Sequence, residues 1–161
     1  MNYQSTNILQ DFEFHDAHFE LEKLEAGALT ISARYLNIHK NTEQNKHETD
    51  MEITVAYITF GNFRVVSFEP GRSWKQDANG KLYTDEPQVV FEGQTAETKL
   101  FRELEAGAEV MEFGDLDNGN YYFDGIGVEP WFHVQFLFDS VIIEWDEYRK
   151  PAWYEERPFK K

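Results

Sequence analysis

Between Pro130 and Glu156 the chain reads PWFHVQFLFDSVIIEWDEYRKPAWYEE, and this stretch limits the possible folds more than any other. Apolar and polar residues alternate there at the period of a β-strand, and the stretch holds Trp131, Trp145 and Trp153. The alternation changes phase midway. Phe132, Val134, Phe136 and Phe138 share one face, whereas beyond Asp139-Ser140 the apolar set is Val141, Ile143 and Trp145, against Glu144 and Asp146. Side chains alternate strictly along a strand, so such a switch demands an extra residue, a bend or a turn. Favoured two-residue hairpin turns need positive φ, and neither Asp139 nor Ser140 is glycine. The spacing therefore favours one bulged or bent strand over 131–147, with a hairpin as the alternative. This stretch is expected to supply the central strand pair of a β-rich core.

The rest of the chain reads as further strands and one helix. Ile8, Leu9 and Phe12 have the spacing of a short helical turn within residues 1–12. Phe19 and Leu21, then Leu29, Ile31, Ala33 and Tyr35, alternate with polar residues about Glu25-Ala26-Gly27, which predicts a hairpin. Leu36 and Ile38 fall out of phase with Tyr35, the mark of a bulge or edge twist. Asn41 to Asp50 has no apolar side to bury and reads as a mobile loop. Met51 to Phe68 returns to strand chemistry around Gly61-Asn62, which suits a type II′ turn or a kink in a continuous strand. A turn is expected at Ala78-Asn79-Gly80 and a short strand at Gln88 to Glu92. Thr95 as cap, an apolar side of Ala96, Leu100, Phe101 and Leu104, and Gly107 as terminator predict one principal amphipathic helix over about residues 95–106. Val110, Met111 and Phe113, and then YYFDGIG, predict two more strands. The fold class expected is α+β: a mainly antiparallel twisted sheet or partly open barrel with that helix packed on it, in a single domain over 1–161.

Composition narrows the function classes. The chain has no cysteine, which removes disulfides, thiolate metal sites and a cysteine nucleophile. Its 14 phenylalanines give ample bulk for a core without staples. No run of about 18 apolar residues is present to span a bilayer, and MNYQSTNILQ lacks the pattern of a secretory signal. A cytoplasmic location is the expectation. The formal charge is −15, and Glu103 to Lys161 carries 14 acids against 5 bases. Such a field disfavours nucleic acid and anionic membrane as partners and speeds encounter with a basic protein.

Few residues point to chemistry. His15, Asp16 and His18 hold two imidazoles and a carboxylate close together, the makings of a metal site or an acid-base pair in a small-molecule or metal-dependent enzyme. On a strand, however, residues three apart face opposite ways. Asp115, Asp117 and Asp124 depart from a calcium-binding loop, because Gly119 and Asn120 stand in reverse order and Ile126 occupies the place of the last ligand. No nucleophile elbow, phosphate-binding loop or dinucleotide fingerprint occurs. No catalytic residue, metal ligand or cofactor is assigned beyond the His15, Asp16 and His18 alternative.

The acidic, aromatic tail is what remains: Trp145, Asp146, Glu147, Tyr148, Trp153, Tyr154, Glu155 and Glu156. Aromatic anchors among carboxylates suit an interface with a basic protein, the rings supplying buried area and the acids steering. The segments FEFHDA, FDSVIIEWDEY and PAWYE resemble small, acidic, β-rich bacterial proteins of mostly unassigned function, some of which are similar to immunity proteins of polymorphic or contact-dependent toxin systems. That resemblance implies tight inhibition of a cognate toxin, often a basic nuclease, with no catalysis by the inhibitor. The function expected is thus a non-enzymatic protein-binding module.

Overall fold

The computed structural model describes the backbone of residues 1–156 and the side chains of residues 1–155. The N-terminal half forms β1 (Tyr3–Thr6), β2 (Phe12–Glu13), β3 (His18–Glu25), β4 (Ala28–Arg34), β5 (Asn37–Ile38), β6 (Met51–Ile53), β7 (Ala56–Gly61) and β8 (Arg64–Pro70). A small hairpin follows, β9 (Lys75–Gln76) with β10 (Leu82–Tyr83), and then β11 (Phe91–Glu92) leads into helix α1 (Gly93–Ala106). The chain ends with β12 (Ala108–Asp115), β13 (Tyr121–Ile126), β14 (Phe132–Leu137), β15 (Ser140–Trp145), β16 (Tyr148–Pro151) and a 3-10 turn over Trp153–Glu156. Ten strands make one antiparallel sheet in the order β1-β15-β7-β4-β3-β12-β13-β14-β8-β11, and four make a second in the order β16-β6-β5-β2. The fold is α+β, with one helix and a large twisted sheet that does not close into a barrel.

The phase change at Asp139-Ser140 is a corner. β14 pairs with β8 from Phe132↔Pro70 to Leu137↔Arg64, and β15 pairs with β7 from Ser140↔Gly61 to Trp145↔Ala56. The register therefore runs on through the corner. Residues 56–70 and 132–145 are two long bent strands lying antiparallel, and each half of this ribbon belongs to a different half of the large sheet. Phe136, Val134 and Phe132 face the core before the bend, and Val141, Ile143 and Trp145 face it afterwards. Gly61-Asn62 is the matching kink on the other strand rather than a hairpin turn. Asn62 adopts φ 52°, and its side chain donates to Asp139 Oδ2 at 2.7 Å, fastening the two bends together. The curl brings Phe60 of β7 within 5.8 Å, ring to ring, of Phe136 of β14.

Elsewhere the β3–β4 hairpin turns at Ala26-Gly27, both at positive φ, as a type I′ turn requires. Tyr35, at φ 60°, redirects the chain out of the large sheet, so that Leu36 and Ile38 are buried although out of phase with it. The helix begins two residues before Thr95, which lies in its first turn and does not cap it. It buries Ala96, Leu100 and Leu104, contributing about 2 kcal/mol for each leucine, and stops at Gly107, whose φ of 94° favours glycine.

Two further expectations are corrected. Residues 3–6 form strand β1 on β15 rather than a helical turn, because Tyr3 stacks on Trp145 at 5.5 Å and Ser5 turns inward beside Ile143. The 41–50 stretch is irregular but tethered. Asn45 is fully buried, and its amide donates to the carbonyls of Ile38 and Thr49, while Tyr148 donates to the Gln44 carbonyl. One buried asparagine thus does what an apolar face would have done.

Candidate functional site

The tail divides between core and surface. Trp145 is fully buried between Tyr3 and Phe12, so it anchors the fold and is not available to a partner, contrary to the expectation from sequence. Tyr148 is half-buried against Tyr3, and burial pushes its hydroxyl up to about 12. Tyr154 donates to Asp50 Oδ2 at 2.5 Å and Glu155 accepts the Asp50 amide at 2.8 Å. Burial works against the Asp50 charge, yet hydrogen bonds from Tyr154, the Lys40 amide and His39 hold its carboxyl below the usual range. These contacts fasten the 3-10 turn to the 39–50 loop. Asp146, Glu147 and Trp153 remain exposed. The side chain of Glu156 lies outside the described residues.

Near the N-terminus His15 and Asp16 lie together, Nε2 to Oδ1 at 3.6 Å, but His18 does not join them. Asp16 sits at φ 70°, and the bend sends His15 Nδ1 to the Met111 carbonyl at 2.6 Å. His18 lies on β3 and donates from Nε2 to Glu20 at 3.1 Å. Among the described residues no group of three histidine or acidic side chains is placed to hold a metal ion.

A different constellation lies on the outward face of β12, β13, β14 and β8. Alternation there turns Phe123, Phe132, Val134 and Phe68 into the core and leaves their neighbours outside. Register then places Glu112, Asp124, His133 and Glu69 in a single row across four strands. The adjoining row is Gly114, Tyr122, Gln135 and Ser67. His133 Nδ1 donates to Asp124 Oδ1 at 2.6 Å, and its ring stacks on Tyr122 at 5.4 Å. Tyr122 donates to Glu112 at 2.6 Å, a bond that pushes its own hydroxyl up to about 12. The hydrogen bond to Asp124 raises the His133 pKa against the opposing effect of burial, and the charges of Asp124, Glu69 and Glu112 add to the rise.

The His133 Nε2 position is taken by the Gln135 amide at 3.2 Å, and Gln135 Oε1 accepts from Asn120 at 3.1 Å. Among the described residues no hydroxyl side chain hydrogen-bonds this imidazole. When His133 carries a proton on both nitrogens, the Gln135 and Asn120 amides must turn so that an oxygen meets Nε2.

Trp131 precedes β14 and is well exposed. It packs on Gly71, where an added Cβ would stand 2.7 Å from the indole Cε3. Trp131, Trp74, Arg72 and Glu69 line a cavity of about 470 Å³, in which the Arg72 guanidinium lies 5.1 Å from the Trp74 ring centre. Glu69 belongs both to this cavity and to the acidic row. Sequence reading found the strands that carry these residues but not their alignment, because register between strands distant in sequence leaves no local signal. Compared with known protein families, with curated proteins and with solved structures, the chain matches none.

Proposed function

We propose that the chain is a non-enzymatic binding module for a basic protein, acting in the cytoplasm, with an immunity-type inhibitor of a toxin as its concrete form. The observation that supports this reading best is the row Glu112, Asp124, His133 and Glu69, which holds three carboxylates and one imidazole, bonded within the row to Asp124 alone, and no lysine or arginine. Carboxylates set directly opposite one another, as Glu112 and Asp124 are, cost stability in an isolated sheet. A lysine- or arginine-bearing surface laid over the row turns that repulsion into attraction. Trp131 at the edge of the row offers the aromatic area that dominates interface energetics. The formal charge of −15 steers a basic partner toward the molecule from a distance. Asp146, which accepts the Asn2 amide, and Glu147 are exposed in the tail and add to the acidic area that such a partner would meet.

The test is capture from lysate of the source cells on immobilised full-length protein, at low and at moderate salt, with bound proteins identified by mass spectrometry. The expected result is one basic protein, released as salt rises, whose retention falls about tenfold or more in a Glu69→Lys/Glu112→Lys variant. Loss in an Asp146→Lys/Glu147→Lys variant alone would move the interface to the tail. Failure to recover any salt-sensitive basic protein overturns the reading.

A further inference from the structure

A second cavity, of about 500 Å³, opens between the segment that follows β1, the end of β12, the start of β13 and the corner at Phe138-Asp139. Its size is that of a small-molecule site. Phe14 and Phe113 stack at 4.2 Å on its wall, and Tyr121 and Phe138 meet at 4.5 Å. Phe113, Tyr121 and Phe138 are only partly buried, although each is large and belongs to the edge of the core. Two carboxylates complete the lining. Asp139 is engaged by Asn62 and Arg64, whereas Asp115 is exposed and forms no ion pair among the described residues. No lysine, arginine or histidine lines the space.

The Phe14–Phe113 pair spends its shared faces on each other, so the rings supply apolar contact while the Asp115 carboxylate at the mouth selects a positive charge. An anion is repelled by Asp115, the carboxylate without an ion-pair partner among the described residues, and a neutral ligand gains contact area alone. We infer that this cavity binds a small organic cation, an ammonium, amidinium or guanidinium group carried on an apolar body. The inference is independent of the outward sheet face, which lies on the other side of β12 and β13, and it stands or falls without the protein partner.

The test uses three probes of one shape, cationic benzamidine, neutral benzamide and anionic benzoate, titrated into the full-length ¹⁵N-labelled protein and followed by amide shifts. Benzamidine is expected to give saturable shifts confined to Phe113, Gly114, Asp115, Tyr121 and Asp139. Benzamide should bind about tenfold more weakly, and benzoate should leave these residues unmoved. Asp115→Asn, at an exposed site that does not threaten the fold, should weaken benzamidine about fivefold while the rest of the spectrum is unchanged. Equal affinity for benzamidine and benzamide, insensitivity to Asp115→Asn, or shifts spread over the whole acidic surface would each overturn the inference. A short arginine-bearing peptide that saturates the same residues more tightly than benzamidine would overturn the free small molecule in favour of a protein side chain.

Discussion

His133 gains more from its positive charge in the folded protein than it does in the unfolded chain, because Asp124 accepts its proton-bearing nitrogen and Glu69 and Glu112 face the ring. Its folded pKa is raised above the ordinary 6.5, so its contribution to stability is complete below about pH 6.5 and is lost as pH rises through the folded value. Replacing it by the neutral, similarly sized glutamine should therefore lower the urea midpoint at about pH 5.5, and the gap to the wild type should narrow toward about pH 9. A gap that is constant across that range would remove the charge from the account. Ala26 presents the opposite case, a residue that costs stability where it stands. It holds φ 52° beside Gly27 at φ 80°, in a turn whose preferred first residue is asparagine. Ala26→Asn should stabilise the protein by about 1 kcal/mol in chemical denaturation. Both residues were visible in the sequence, but only the turn announced itself there, through its neighbouring glycine. The raised histidine depends on partners brought in by two other strands.

At the scale of elements, helix α1 does more than cover the core. Glu103 is almost fully buried on it, and its two carboxylate oxygens accept the amides of Val128 and Glu129 at 2.6 and 2.9 Å. Gly127 lies so close that a Cβ there would stand 2.7 Å from Glu103 Oε1. The helix thereby pins the loop that presents Trp131 to the outward face. Glu103→Ala should cost about 2 kcal/mol, the scale of hydrogen bonds to a charged group, and should shift tryptophan fluorescence as Trp131 loses its fixed seat. A variant as stable as the wild type would show that the loop holds itself. The apolar side of this helix was legible from periodicity: of the expected Ala96, Leu100, Phe101 and Leu104, all but Phe101 belong to the buried set, Phe101 being half-buried. Glu103, on the same side, was not, because a charged residue within a stripe reads as solvated until its acceptors' donors are known. Strands were likewise legible as strands. Their neighbours were not: β3 touches β12 through only two register pairs, Ala108↔Phe19 and Glu109↔His18, and nothing local in either segment encodes that meeting.

For the molecule as a whole, composition foretold the broad class and left the surface undecided. An aromatic, cysteine-free chain with period-two alternation builds an α+β fold around stacked rings, and the observed core holds Phe19, Phe68, Phe132, Phe136 and Trp145. The acidic tail was the natural place to look for an interface from sequence alone, yet folding draws Trp145 inward and commits Tyr154 and Glu155 to the 39–50 loop. The acidic row arises instead from strands drawn together from separate parts of the chain. That distance has a consequence in time. The corner joins Asn62 to Asp139 across 77 positions, so neither half of the sheet is complete until the second bent strand has been made. At roughly 5–20 residues per second of synthesis, the ribosome needs several seconds to supply it. Throughout that interval the nascent chain carries β7 and β8 with open edges, the form of a β-protein most prone to associate with its neighbours. Arrival of 132–145 supplies the missing neighbour to both edges from one continuous segment, β15 to β7 and β14 to β8.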